Sequence, residues 1–109
     1  MSAVADSVTT GAMAAIRTHP LYAEAVAWPY CISDVFSMPL SFVDRSSMAN
    51  EDKARIRAEL SEVVTVLVVA FYTTDRKPGP LSGAGKLYAF LLHPQSFTVL
   101  ATDIGNWRS

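Results

Sequence analysis

Residues 62–74 read Glu-Val-Val-Thr-Val-Leu-Val-Val-Ala-Phe-Tyr-Thr-Thr, and no other stretch of the chain is as apolar or as rich in β-branched side chains. Nearly every position from 63 to 72 is apolar. A strand of this kind has both faces covered, which an edge strand with one wet face does not tolerate. The segment therefore reads as the central strand of a small sheet. A rival reading exists, because Ile56, Leu60, Val63, Leu67 and Ala70 also follow three-and-four spacing, which suits one long helix over residues 50–72. Five valines between 63 and 69 weigh against it, since each loses χ1 freedom in a helix and favours a strand. Helix to about Ser61 and strand thereafter is the preferred reading.

A chain of 109 residues is one domain with room for a single core, too short for a cofactor fold built from several βα units. Half of it is hydrophobic and only 17% is charged, below the ~25% usual in globular domains. So small a chain has much surface for its volume, and the apolar surplus is expected to be covered by a second copy in a homo-dimer or other homo-oligomer, or by a protein partner. The formal charge is −1. Basic residues gather only at Arg76-Lys77 and at Lys53, Arg55 and Arg57, too few for the stripe that a nucleic-acid groove needs. Cys31 is the one cysteine; it excludes an internal disulfide and a cysteine-based zinc site and suits a reducing compartment. The start, Met1-Ser2-Ala3-Val4-Ala5-Asp6, has no basic stretch leading into an apolar run, and residues 63–72 are about half the ~20 needed to cross a bilayer. The expectation is a cytoplasmic protein with no membrane attachment.

Taken in order, residues 1–5 are expected to fray, and Asp6 or Ser7 to cap a helix carrying Val8, Ala12, Ala15 and Ile16 on one side. Thr18-His19-Pro20 ends it, because the residue before a proline is pushed out of the α region. Pro20 then suits the first turn of a second short helix reaching Trp28. Residues 30–36 and 40–43, separated by Pro39, read as two short extended pieces. Ser47 or Asn50 can cap a stronger, longer central helix with acids in its first turn and Ile56, Leu60 and Val63 or Val64 buried. Residues 75–85, dense in proline and glycine, predict a mobile hairpin loop. Residues 86–93 return as a strand, His93-Pro94-Gln95-Ser96 turns, and residues 97–102 form the next strand with Phe97, Val99 and Ala101 on one side. Residues 105–109 are a tail that leaves the sheet. The fold class is α+β: N-terminal helices and a longer central helix packed on a small antiparallel sheet that ends in a three-stranded meander. This element order is similar to that of cone-shaped cystatin-like domains of the nuclear-transport-factor type, and to roadblock and profilin-like layouts. A likeness of element order implies no function.

Signals of chemistry are thin. Residues 79–87, Gly-Pro-Leu-Ser-Gly-Ala-Gly-Lys-Leu, imitate a phosphate-binding loop, but Pro80 stands at the first glycine position with no amide hydrogen and Leu87 stands where a hydroxyl is needed. No cofactor is implied. Histidine is the natural base near neutral pH, yet His19 and His93 each precede a proline at an element end, where capping is the ordinary role. Neither has a ligand partner at helical spacing, so no metal is implied. Tyr30, Cys31, Asp34, Asp44 and Asp103 are polar side chains in apolar surroundings. A carboxyl held there can act as a base, whereas a lone cysteine there is first of all a small buried side chain.

Two functions are carried forward. One is a self-associating protein-interaction module without catalysis, with Trp107, Arg76 and Lys77 as contact candidates; Trp107 either docks on its own domain or inserts into a neighbour. The alternative is a small-molecule pocket, or an enzyme of the isomerase, lyase or hydrolase type, lined by the catalytic candidates Asp34, Tyr30, His93 and Asp103. It requires at least two of those side chains to converge within ~3 Å of one point.

Overall fold

The computed structural model describes residues 2, 3, 5–45, 49–59, 65–75 and 84–108. Five antiparallel strands form one sheet in the order β1-β2-β3-β4-β5, with β1 at Ser2–Ala3, β2 at Tyr30–Pro39, β3 at Thr65–Thr74, β4 at Ala84–Leu92 and β5 at Val99–Arg108. Helices α1 (Asp6–Ile16) and α2 (Pro20–Val26) precede β2, and α3 (Leu40–Arg45) and α4 (Asn50–Glu59) lie between β2 and β3. The valine-rich segment is the strand β3, not the end of a long helix. Residues 60–64, where helix was expected to give way to strand, lie outside the described residues.

β3 sits between β2 and β4 and is buried along almost its whole length. Strand alternation sends its residues to two separate cores. Leu67, Val69 and Phe71 join Tyr88, Phe90 and Leu92 of β4 beneath Ala12 and Ile16 of α1 and Ala25 of α2. Val66 and Val68 face the other way and join Leu91, Leu100 and Ala101 with Val43 of α3 and Ile56 of α4. The sheet is thus the middle of three layers. A run of edge-to-face rings ties α2 to the first core: His19 on Phe90 at 5.3 Å, Phe90 on Phe71 at 5.9 Å, and Phe71 on Tyr22 at 5.9 Å between centroids. Such pairs contribute about 0.5–1.5 kcal/mol each beyond their buried area. The Trp28 indole N–H donates to the Tyr88 hydroxyl at 3.1 Å and fastens the chain just after α2 to β4.

Several local expectations are corrected. The longest helix is α1, with 11 residues against 10 described for α4, so the central helix does not dominate. The consecutive antiparallel run takes in four long strands, β2 to β5, rather than three. Residues 30–39 form one strand of ten residues whose last member is Pro39, where a missing N–H harms no ladder; Leu40–Arg45 is a helical turn and a half rather than an extended piece. Ser2 and Ala3 pair with Ser37 and Phe36 instead of fraying. The residue preceding α1 is Ala5, which makes no side-chain cap, and Asp6 is already helical. Pro20 does open α2, and His19 caps it by accepting the Leu21 N–H on Nδ1 at 3.2 Å. Of the expected hairpin loop, Ala84 and Gly85 belong to β4, and residues 76–83 lie outside the described residues. Gly105, Asn106 and Trp107 do not leave the sheet; they pair with Leu87, Lys86 and Gly85.

The turn from β4 to β5 explains one more difference. Phe97 has φ 62°, a left-handed conformation that is rare for a bulky side chain, and the ladder register shifts between Leu91 and Leu92. The shift turns β5 over, so Phe97 and Val99 pack on the first core while Ala101 packs on the second. The Phe97 ring lies on Gly11 of α1, where an added Cβ would stand 2.5 Å from Cε2. A glycine inside a helix costs roughly 0.5–1 kcal/mol relative to alanine, and the ring occupies the space that the missing side chain leaves. Gly11→Ala is therefore expected to lose about 1–3 kcal/mol to overpacking despite its better helix propensity, as read from urea denaturation; a stabilised variant would remove the Phe97 contact from this account.

Candidate functional site

The two faces of the sheet are not covered alike. On the second face, α3 and α4 lie over the end of the sheet that carries Val66, Val68, Leu91 and Leu100. Farther along, pairing sets Asp34, Ala70, Ala89 and Asp103 in one row across four strands, and Ile32, Tyr72, Leu87 and Gly105 in the next. Ile32 and Asp34 are exposed, and Tyr72, Leu87 and Asp103 are half-buried. Trp107 borders this region. Its ring meets Tyr72 edge-on at 6.3 Å and its indole N–H donates to the Thr73 carbonyl at 2.9 Å.

The Trp107 contact depends on Gly85, its partner across the ladder. A Cβ on Gly85 would collide with the Thr73 carbonyl and stand 3.0 Å from the Trp107 Nε1. Thr73, fully buried, donates its hydroxyl to the Lys86 carbonyl at 3.1 Å. The far ends of β3, β4 and β5 are thus joined by one side chain on each side of a glycine. Trp107 docks on its own domain, and Arg76 and Lys77, the other contact candidates, lie outside the described residues.

The four catalytic candidates do not come together. Asp34 and Asp103 share a row and a face, but three strand spacings separate them, roughly 14 Å, too far to hold one water, proton or metal between them. Tyr30 is on the same face as Asp34 but four residues along β2, about 13 Å away. His93 follows β4 at the covered end, where its Nδ1 accepts the backbone N–H groups of Gln95 at 3.1 Å and Ser96 at 3.2 Å. Its job is to close the turn, as that of His19 is to cap α2. The Asp44 side chain lies outside the described residues. Among the described residues, no three of His, Cys, Asp and Glu gather as a metal-binding group, and no helix is long and apolar enough to cross a membrane.

What sequence reasoning missed is a margin of exposed apolar side chains. Among the described residues the exposed large hydrophobics are Val26, Tyr30, Ile32, Phe42 and Ile104, of which Ile32 is the most open at 63%. Tyr30 and Ile32 are on β2, and Val26 and Phe42 are on α2 and α3, both of which pack against β2. Only Ile104 lies elsewhere, on β5. A signal was present in Tyr-Cys-Ile-Ser-Asp, residues 30–34, whose alternation gives one row of larger side chains and one of smaller; without knowing that β2 is at the edge, it says nothing about exposure. Comparison with protein-family models, with curated proteins and with solved structures returns no match.

Cys31 points from β2 to the first core and is half-buried. Burial raises its thiol pKa above the ordinary value. The folded chain therefore holds this proton where the unfolded chain would release it, so its contribution to stability is complete below the ordinary thiol range and fades as pH rises through the raised value. Two outcomes are expected. Alkylation of Cys31 in the native protein lags behind that of the urea-unfolded chain, with its pH midpoint displaced upward; equal rates would contradict the burial. Trp107→Phe keeps a ring beside Tyr72 but leaves the Thr73 carbonyl without its indole donor, and costs about 1 kcal/mol in urea denaturation.

Proposed function

We propose that the chain is a small self-associating protein-interaction module, acting without catalysis in the reducing cytoplasm, with a homo-dimer as its basic unit. The observation that carries this reading is the gathering, among the described residues, of four of the five exposed large hydrophobics on β2 and the two helices that pack against it. Scattered single apolar residues on a surface need no explanation, whereas several along one margin are the usual mark of a contact. The low charge supports the same reading, because 17% charged residues leave little to keep such a margin solvated. The free cysteine suits a reducing compartment. The pocket or enzyme alternative has no comparable support, since its candidate residues are spread over β2, β5 and the turn after β4 and do not converge on one point.

Light scattering coupled to size exclusion, run at micromolar concentrations, is expected to give twice the 11.8 kDa chain mass. A monomer throughout that range removes the reading.

A further inference from the structure

Resting on the self-association proposed above, we infer that two copies join edge to edge through β2, in antiparallel register about a two-fold axis at Ile32, making one sheet continuous across the dimer. The argument begins with backbone. β1 pairs with β2 only at Phe36 and Ser37, so from residue 30 to residue 35 the outer edge of β2 pairs with no strand among the described residues. An unpaired edge is a ready template for another strand. This one has no proline, lysine or register shift between residues 30 and 34 to blunt it.

The limits of the free stretch select the occupant and the register. Pro29 bounds it on one side and Phe36, paired with β1, on the other, which leaves six residues, 30–35, for a partner strand to pair with. A two-fold axis normal to the sheet keeps each face on its own side, so residues directly opposite must share a face. Centring on Ile32 satisfies this and pairs five of the six: Ile32 meets the partner's Ile32, Tyr30 meets the partner's Asp34, and Cys31 meets the partner's Ser33, with Val35 left beside the partner's Pro29. Centring on Cys31 would put Ser33 against proline, and centring on Ser33 would run Tyr30 into the position that β1 already occupies. Centring on Asp34 would oppose two carboxylates, which is destabilising. In the Ile32 register each Asp34 instead faces a tyrosine hydroxyl able to donate to it. The same contact covers the most exposed apolar side chain of the described molecule twice over.

A five-residue ladder alone falls short of the ~800 Å² per partner of an ordinary stable interface. Val26, exposed on α2 four residues before Tyr30, adds apolar surface beside the ladder. The opposite edge is a poorer template. β5 begins beside the register shift, carries Gly105, and offers only Ile104 as an exposed large hydrophobic. An isologous β2 contact also closes on itself, whereas β2 on the β5 edge of the next copy would continue without end.

The test is disulfide trapping in a Cys31→Ser background. Directly opposed Cα atoms in an antiparallel ladder are about 4.5–5.5 Å apart, within disulfide reach, so Ile32→Cys is expected to give covalent dimers with oxidised glutathione. Asp34→Cys should not, because its own counterpart is four residues along, about 13 Å away. Ile32→Lys should abolish the dimer in light scattering without changing the far-UV circular dichroism, since the side chain is exposed. A dimer that survives Ile32→Lys and resists trapping overturns the edge pairing and leaves self-association standing. Equal trapping at both positions overturns the register, open-ended oligomers overturn the closed β2 contact, and a wild-type monomer overturns both proposals.

Discussion

Everything in this molecule follows from the need to keep β3 dry on both sides. An extended segment with apolar residues pointing in both directions cannot rest in a two-layer domain, because one of its faces would meet water. It needs flanking strands at its edges and a layer of other material above and below. Among the described residues four short helices do this, and they divide into two pairs on opposite faces. The price of that division is thin coverage: α1 and α2 span the first face with the help of Phe97, while α3, of six residues, and α4 reach only one end of the second. The row of Ile32, Tyr72 and Leu87 lies beyond them. Partial exposure on that face thus follows, among the described residues, from where α3 and α4 lie.

Where the helices run out, other devices hold the sheet. At the far end of β3 a glycine in β4 lets the Trp107 indole reach across to the Thr73 carbonyl, and the Thr73 hydroxyl completes the join to Lys86. At the near end, His93 closes the turn into β5 through two backbone N–H groups, and the strained backbone of Phe97 is offset by its ring filling the place of a side chain on Gly11. A strained bulky residue costs of order 1–3 kcal/mol and persists only where its surroundings over-determine it. Both devices use a glycine as an opening for an aromatic ring. In neither case is the glycine there to make a turn.

Legibility in the sequence divides along the range of the interactions. The strand character of β3 is local, carried by valines whose side-chain stiffness acts whatever their neighbours, and it could be read. So could the break at His19-Pro20 and the capping roles of both histidines, which depend on residues two or three positions away. The extended character of residues 30–36 could be read, but not the last three rungs of β2, because Pro39 looks like an interruption until β3 shows it to be the terminal rung, nor the helical turn that Leu40–Arg45 makes beyond it. The stretch from Gly105 looks like a departing tail because glycine and asparagine favour turns; pairing with β4 overrides that preference. Asp34 and Asp103 were visible as polar residues in apolar company, but the two strands that separate them, β3 and β4, are a property of topology that no spacing in the sequence encodes. The exposed margin at β2 was hidden for the same reason: β2 and β3 are both apolar, and only the order of strands says which one stands at the rim.

That order also governs how such a sheet can live in solution. An open sheet has two edges, and if both accept strands equally the result is a filament. Here the edges differ. β5 is disturbed at its start by the register shift and carries a glycine at residue 105, whereas β2 is screened at one end by the two residues of β1 and left regular at the other. Asp34 at that regular end is tolerated on an exposed rung but resists a carboxylate placed opposite it, and so excludes some registers while permitting one that opposes it to a hydroxyl. The order of strands and the placing of one carboxylate thus restrict the registers open to another strand on that edge. One edge is regular and apolar, the other is irregular, and the single charge on the regular edge acts on register rather than on access.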